Sequence, residues 1–256
     1  MRAVIGRLYR ALKEVPLFAI GTITKVSTSK PVAALTFDDG PDPVFTPRLL
    51  AVLHKHQAKA TFFMVGKAAE RHPNIVKEVA VAGHAIGNHS WDHPSFPLIT
   101  RRERWAQIRA CEKAIAPYGQ RLFRPPYGDQ NLLSRLEASW LGYQVIMYSL
   151  TAVDWLDHDA EWMKNRMMTR IQNGSILLLH DSLFHYRDNR YADRDPMLNG
   201  LDALLKELGG RFTFVTIPEL ISQGRPQRQY WTKTTDISIL NERGGRYGEP
   251  RQYSNV

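Results

Sequence analysis

The sequence is almost without cysteine: Cys111 stands alone, so no disulfide can form within the chain. That suits a reducing compartment, although exported bacterial proteins also do without disulfides. Long apolar runs are missing too. No segment approaches the roughly 20 apolar residues that a membrane-spanning helix needs, and the short stretch Val15–Ile20, followed closely by Lys25, makes a poor signal peptide. No internal repeat or low-complexity block is present, which excludes solenoids and arrays. Helix-turn-helix, zinc-finger and RNA-binding signatures are also lacking, and the basic residues are scattered. The net charge of +9 over 256 residues therefore points to an anionic membrane surface or an acidic wall polymer, or merely to a soluble surface, ahead of nucleic acid.

What is there is the composition of an ordinary globular chain, 43% hydrophobic and 23% charged, long enough for one large α/β domain. Apolar runs at Val32–Phe37, Ala60–Val65, Tyr143–Leu150, Ser175–Leu179 and Phe212–Thr216 read as strands. Between them, Phe45–His56, Asn74–Ala82, Arg101–Ala116, Asn131–Leu141, Glu161–Ile171 and Leu198–Leu208 carry helical spacing, with Gly83, Gly142, Gly174 and Gly209 as left-handed stops. Such alternation predicts parallel strands with helices packed outside them. About seven units closed on themselves make a distorted (β/α) barrel, with an open doubly wound sheet as competitor; both collect chemistry at the C-terminal strand ends.

The two ends differ from the middle. In an N-terminal segment, 1–30, Ile5, Leu8, Leu12 and Val15 fall at helical spacing beside Arg2, Arg7, Arg10 and Lys13, and Pro16 ends the pattern. This predicts an amphipathic helix, either lying on a membrane surface or packing on the fold. Residues 222–256 are polar and rich in Arg, Gln and Gly, and read as a loose surface extension of a domain over 31–221.

Five clusters carry chemistry. Thr36-Phe37-Asp38-Asp39-Gly40-Pro41-Asp42 follows an apolar strand; alternation would point Asp38 and Asp39 opposite ways unless the chain turns, and Gly40 and Pro41 supply a turn. Alone, such a stretch is more often only a turn. In His89-Ser90-Trp91-Asp92-His93, two histidines four apart meet if the chain is helical or tightly turned, a geometry that binds zinc-like ions, with Asp92 as a turn residue. Arg124-Pro125-Pro126-Tyr127-Gly128 is a rigid loop that either does nothing more or presents Arg124 to a carboxylate. Asp154-Trp155 says little alone. Leu177-Leu178-Leu179-His180-Asp181-Ser182 puts a histidine at a strand end, either satisfied in the core or poised as a general acid.

Taken in order, these clusters resemble the five motifs of the polysaccharide deacetylase family, carbohydrate esterases whose shared unit is the NodB homology domain. The resemblance covers roughly residues 31–220 and agrees with the barrel. It implies a hydrolase that removes an N-acetyl group from an amino sugar in a polysaccharide, oligosaccharide or glycolipid. It also implies one divalent metal held by Asp39, His89 and His93, zinc foremost, then cobalt, nickel or manganese. Asp38 becomes the general base, held by Arg124; His180 the general acid, supported by Asp154; and the Tyr127 N–H the donor to the oxyanion. Tyr127, Pro126, Trp155 and Leu178 would contact substrate, with Asp181 in support. Rivals on the same scaffold are a deformylase or deacylase of a lipid-linked amino sugar, another amide or imide hydrolase, and a non-catalytic glycan-binding protein. The expected location is cytoplasmic, with a peripheral place at the inner face of the membrane as an option and export left open. His54, His56 and His72 read as surface residues, His84 as structural, and His158 and His185 as loop residues beside the cleft. Phe184–Arg194 reads either as a substrate wall or as a solvated loop.

Overall fold

The computed structural model describes residues 21–186 and 188–242, so the helix expected over 1–15 lies outside the described residues. The strands are β1 (Thr22–Ser27), β2 (Val32–Asp38), β3 (Ala60–Met64), β4 (Ala85–Asn88), β5 (Gly119–Phe123), β6 (Gln144–Val145), β7 (Leu150–Thr151), β8 (Ile176–His180), β9 (Thr213–Phe214) and β10 (Arg225–Gln229). The helices are α1 (Phe45–Lys55), α2 (Gly66–Arg71), α3 (Pro73–Val81), α4 (Arg101–Ala114), α5 (Leu132–Trp140), α6 (Ala160–Met168), α7 (Asp195–Leu208), α8 (Ile217–Ser222) and α9 (Ile237–Glu242). Strands β2 to β9 form one sheet in the order β6-β5-β4-β3-β2-β8-β7, with β9 also on β2 and every pairing parallel. The sheet curls into the expected distorted barrel.

At the centre, β2 is buried along its whole length, as a parallel strand between two neighbours requires. Its outer face packs Leu35 and Phe37 with Phe62, Leu177 and Leu179 against α1 and α7, whose Leu49, Leu53, Leu201 and Leu204 are buried. Each such side chain contributes about 1.5–3 kcal/mol.

The run Tyr143–Leu150, expected as one strand, is two short ones on opposite sheet edges. Only Ile146–Ser149 separate β6 from β7, and so few residues span at most about 3.5 Å each. The edges therefore nearly meet. Across this seam lies β1: the Met147 N–H donates to the Ile23 carbonyl at 2.7 Å, and the Val26 N–H to that of Gly174 at 2.9 Å. Thus β1 belongs to the fold, and its start corrects the expected boundary at residue 31.

The extension expected to be loose is ordered through Glu242. Strand β10 pairs antiparallel with β1, from Thr22 against Gln229 to Ser27 against Arg225, and α9 follows. Sequence periodicity missed β10 because neither of its faces is apolar. The short strands β4 and β5 escaped as well, the first being only four residues long and the second opening on the exposed Gly119, Gln120 and Arg121. Gly83, Gly142 and Gly174 are left-handed as predicted, but Gly209 is right-handed with φ −58°.

Candidate active site

The site is built at the C-terminal ends of β2, β4, β5 and β8. Asp38 closes β2 and lies in register with His180, which closes β8. In-register residues of adjacent parallel strands put their side chains on the same face. Asp39 escapes the alternation because its own φ is +77°, so the turn begins one residue before Gly40. Gly40 is then pressed onto Asp181, where a Cβ would lie 2.2 Å from Oδ2. The Gly40 N–H and the Thr46 hydroxyl both donate to the Asp181 carboxyl, whose burial, with Thr46 pulling the other way, pushes it up to about 7.

His89 and His93 leave β4 on a turn, not a helix. Ser90 and His93 take φ of +68° and +62°, which folds the two rings to 5.0 Å between centroids. Such conformations are costly for residues with side chains and persist where surroundings hold them. Here Asn88 accepts from the Ser90 N–H and Gln107 from the N–H groups of Trp91 and Asp92, while Asp92 in turn accepts from Gln107. Asp92 thus serves the turn and stays outside the ligand set.

Asp39, His89 and His93 bring three donor atoms within 4.8 Å of one another, all buried. Asp39 Oδ1 lies 3.3 Å from His89 Nε2 and 3.1 Å from His93 Nε2, yet it has no hydrogen-bond partner. Its Oδ2 accepts from the Phe184 N–H at 3.0 Å. His89 Nδ1 faces the Arg124 carbonyl at 2.8 Å. A carbonyl can only accept, so Nδ1 carries the proton and Nε2 presents a lone pair. A buried orphan carboxylate oxygen facing two imidazole nitrogens fits a divalent cation. Burial raises the Asp39 carboxyl, but His93, His89 and His180 together hold it well below the usual carboxylate range.

Arg124 is 1% exposed and fully engaged. Its guanidinium donates to Asp38 Oδ1 at 2.6 Å, to the Thr36 hydroxyl at 2.7 Å, and to the Ile146 and Met147 carbonyls at 3.2 Å each, above the Phe63 ring. The peptide carbonyls of the seam thus anchor the arginine that anchors Asp38. Removing either partner would leave a lone buried charge, at about 3–5 kcal/mol.

On the other side, His180 Nδ1 meets Asp154 Oδ1 at 2.9 Å, while Asp154 Oδ2 accepts from the His180 N–H at 2.8 Å and from Arg194. Arg194 also donates to the Asp154 carbonyl at 2.9 Å and the His180 carbonyl at 3.2 Å. Burial lowers the His180 imidazole, but the Asp154 charge and hydrogen bond, with Asp39 and Asp38, outweigh it, and the net shift is upward. Asp154 is pushed up by burial and pulled further down by His180 and Arg194.

These groups open into a cleft of about 640 Å³. Of the residues expected there, Asp38, Asp39, His89, His93, Arg124, Tyr127, Trp155, Leu178 and His180 line it. Asp154 stands behind His180. Pro126 is corrected: it is buried and does not line the cleft, whereas the left-handed Tyr127, φ +57°, and Gly128 do. Within Phe184–Arg194, His185, Tyr186 and Tyr191 line the cleft, as does Leu183 before it. Burial, with His93 alongside, lowers the His185 imidazole to about 4. His158 instead stacks on Trp162 at 3.6 Å. Sequence reasoning missed Arg194 as a partner of Asp154, Tyr148 inside an expected strand, and Lys233, Thr235 and Ile239 in the extension. Only the crowding of aromatic and charged residues after His180 signalled any of these.

Residues 25–146 match the family described as polysaccharide deacetylase. A peptidoglycan-N-acetylglucosamine deacetylase of Bacillus cereus is 35% identical over 205 residues, 78% of this chain and 72% of that protein. A chitooligosaccharide deacetylase of Sinorhizobium fredii is 34% identical over 208 residues, 77% of this chain and 95% of that protein. Among solved structures, a peptidoglycan N-acetylglucosamine deacetylase bound to an N-hydroxybenzamide derivative superposes with a TM-score of 0.73 and 31% identity. It covers 82% of this chain and 95% of that one.

Proposed function

This chain belongs to the polysaccharide deacetylase family, and from that premise we propose that Asp38 and His180 are the base and acid that cut the N-acetyl group from a glucosamine residue of a wall glycan or chitooligosaccharide. The reaction class is that of a metal-dependent carbohydrate N-deacetylase, a hydrolase acting on an amide C–N bond. One observation supports the assignment of roles: Asp38 and His180 stand in register on adjacent strands, and both line the cleft that the donors Asp39, His89 and His93 also line.

A divalent ion held by those three residues, zinc before cobalt, nickel or manganese, supplies Lewis acidity that activates water and polarises the amide carbonyl. Asp38, held by Arg124, takes the proton of the attacking water. The Tyr127 N–H meets the charge that develops on the carbonyl oxygen, a contribution of about 3 kcal/mol. His180, kept protonated by Asp154 and with Arg194 behind it, gives its Nε2 proton to the departing nitrogen, so acetate and a free amine are released. Trp155, Tyr186 and Tyr191 offer aromatic faces to sugar rings, and Leu178 offers an apolar contact for the acetyl methyl.

A second reading has its own observation. Leu156, Tyr186 and Ile239 line the cleft and yet remain 45%, 42% and 41% exposed. An apolar rim of this kind suits an amino sugar with a lipid attached, the substrate of a deacylase or deformylase. With the charge of +9, it would set the enzyme at the inner face of an anionic membrane. The test uses chelator-stripped protein with and without added zinc or cobalt. Acetate release from N-acetylglucosamine oligomers is compared with acetate and formate release from a lipid-linked amino sugar. Metal-restored acetate from the oligomers supports the first reading, and no release from either substrate refutes both.

A further inference from the structure

The segment after β10 lines the cleft and is fastened to the turn that carries Tyr127. Gln130 and Lys233 exchange backbone hydrogen bonds at 2.9 and 3.0 Å, and Gln130 Nε2 donates to the Trp231 carbonyl at 2.8 Å. The Trp231 indole N–H donates to the Gly128 carbonyl at 2.9 Å, and Lys233 Nζ to the Tyr127 carbonyl at 2.6 Å. Thr235 donates twice to the Asp129 carboxylate, from its N–H at 2.9 Å and its hydroxyl at 2.8 Å; Ser95, on the loop beyond His93, donates to the same group at 2.7 Å.

We infer that residues 231–235 are a clamp, and that Trp231, Lys233 and Thr235 are positioning residues which aim the Tyr127 N–H at the substrate carbonyl. The inference rests on the deacetylase reading and deepens it. Tyr127 sits at φ +57°, a region disfavoured for a residue with a side chain, so the turn needs outside support. That support reaches the carbonyl of Tyr127, the carbonyl of Gly128 and the side chain of Asp129 in succession. Free of it, Tyr127 would relax to negative φ and rotate its N–H relative to the metal donors. A misplacement of about 1 Å at a reacting group is enough to cost about a hundredfold in rate.

The double variant Trp231→Phe/Thr235→Val removes two fastenings, the indole N–H and the hydroxyl, while keeping an aromatic ring at 231 and a side chain of the same shape at 235. With metal-loaded protein and N-acetylglucosamine tetramer as probe, kcat is expected to fall about tenfold or more with KM within about twofold. Thr235→Ser, which keeps the hydroxyl, is expected to stay within about twofold of the parent. Backbone amide exchange across residues 124–131, read by mass spectrometry, is expected to quicken in the double variant and not in Thr235→Ser. An unchanged kcat, or a change in KM alone, overturns the clamp. If the parent protein itself releases no acetate, the deacetylase reading fails separately, and amide exchange decides alone: unchanged exchange over 124–131 overturns the clamp and faster exchange upholds it.

Discussion

Replacing Asp154 by asparagine changes one carboxylate oxygen into an NH2 donor at nearly constant volume. Asp154 Oδ2 accepts from two donors, the His180 N–H and Arg194, so the amide oxygen must keep that place. The NH2 is then left facing His180 Nδ1, which must give up its own proton to accept. The ring keeps a proton on Nε2 but only as a neutral imidazole, too weak an acid to serve the leaving nitrogen. Losing one hydrogen bond to a charged group costs the imidazolium about 1.5–3 kcal/mol. That is about ten- to a hundredfold in its population where it is the minor form. Rate loss for a disabled general acid is about 10²–10⁴-fold. Acetate release followed across pH should therefore show a kcat reduced by about a hundredfold at neutrality, with the alkaline limb moved to lower pH. The parent protein carries the matching stability signature. His180 is raised above its ordinary 6.5, so its contribution is full below 6.5 and lost as pH rises through the folded value. Asp154 is lowered from its ordinary 3.8, so its contribution is present above 3.8 and lost as pH falls through the folded value. The pair stabilises most between those two ordinary values, and Asp154→Asn should flatten this feature in thermal melts. An Asp154→Asn protein with the parent's kcat and alkaline limb would refute the assignment of His180.

Asp38→Asn should lower kcat by about 10²–10⁴-fold while leaving one metal ion bound per chain, measured by elemental analysis after dialysis. Near-normal turnover would remove Asp38 as base. Gly40→Ala places a methyl group 2.2 Å from Asp181 Oδ2 and should destabilise by about 1–3 kcal/mol, visible as a lowered Tm.

The deacetylase constellation was legible because its members sit where the chain must stop being a strand. Asp38 and His180 each end an apolar run, and the five clusters occur in an order that chance rarely produces. The positions of these residues at the cleft were therefore readable. Relations between distant polar residues were not. Nothing in the sequence links Arg194 to Asp154, since an arginine in a charged loop carries no period. The peptide carbonyls of Ile146 and Met147 that hold Arg124 have no sequence signature at all. The described part of the extension, 222–242, was misread because low hydrophobicity ordinarily means disorder. Here backbone pairing with β1 and side-chain hydrogen bonds to the Tyr127 turn take the place of an apolar face.

The pairing of β1 with β10 has a further consequence for how this enzyme comes to life. Arg228 reaches back to the Gly21 carbonyl, 207 positions earlier, and the strand that makes this contact leads directly to Trp231. Local units of a nascent chain can collapse as they emerge, but a contact of such long sequence separation waits until its later partner has been made. Asp38, Asp39, His89, His93 and His180 all precede that strand and can be in place while the stretch bracing Tyr127 is still unmade, so the brace is added after the rest of the cleft.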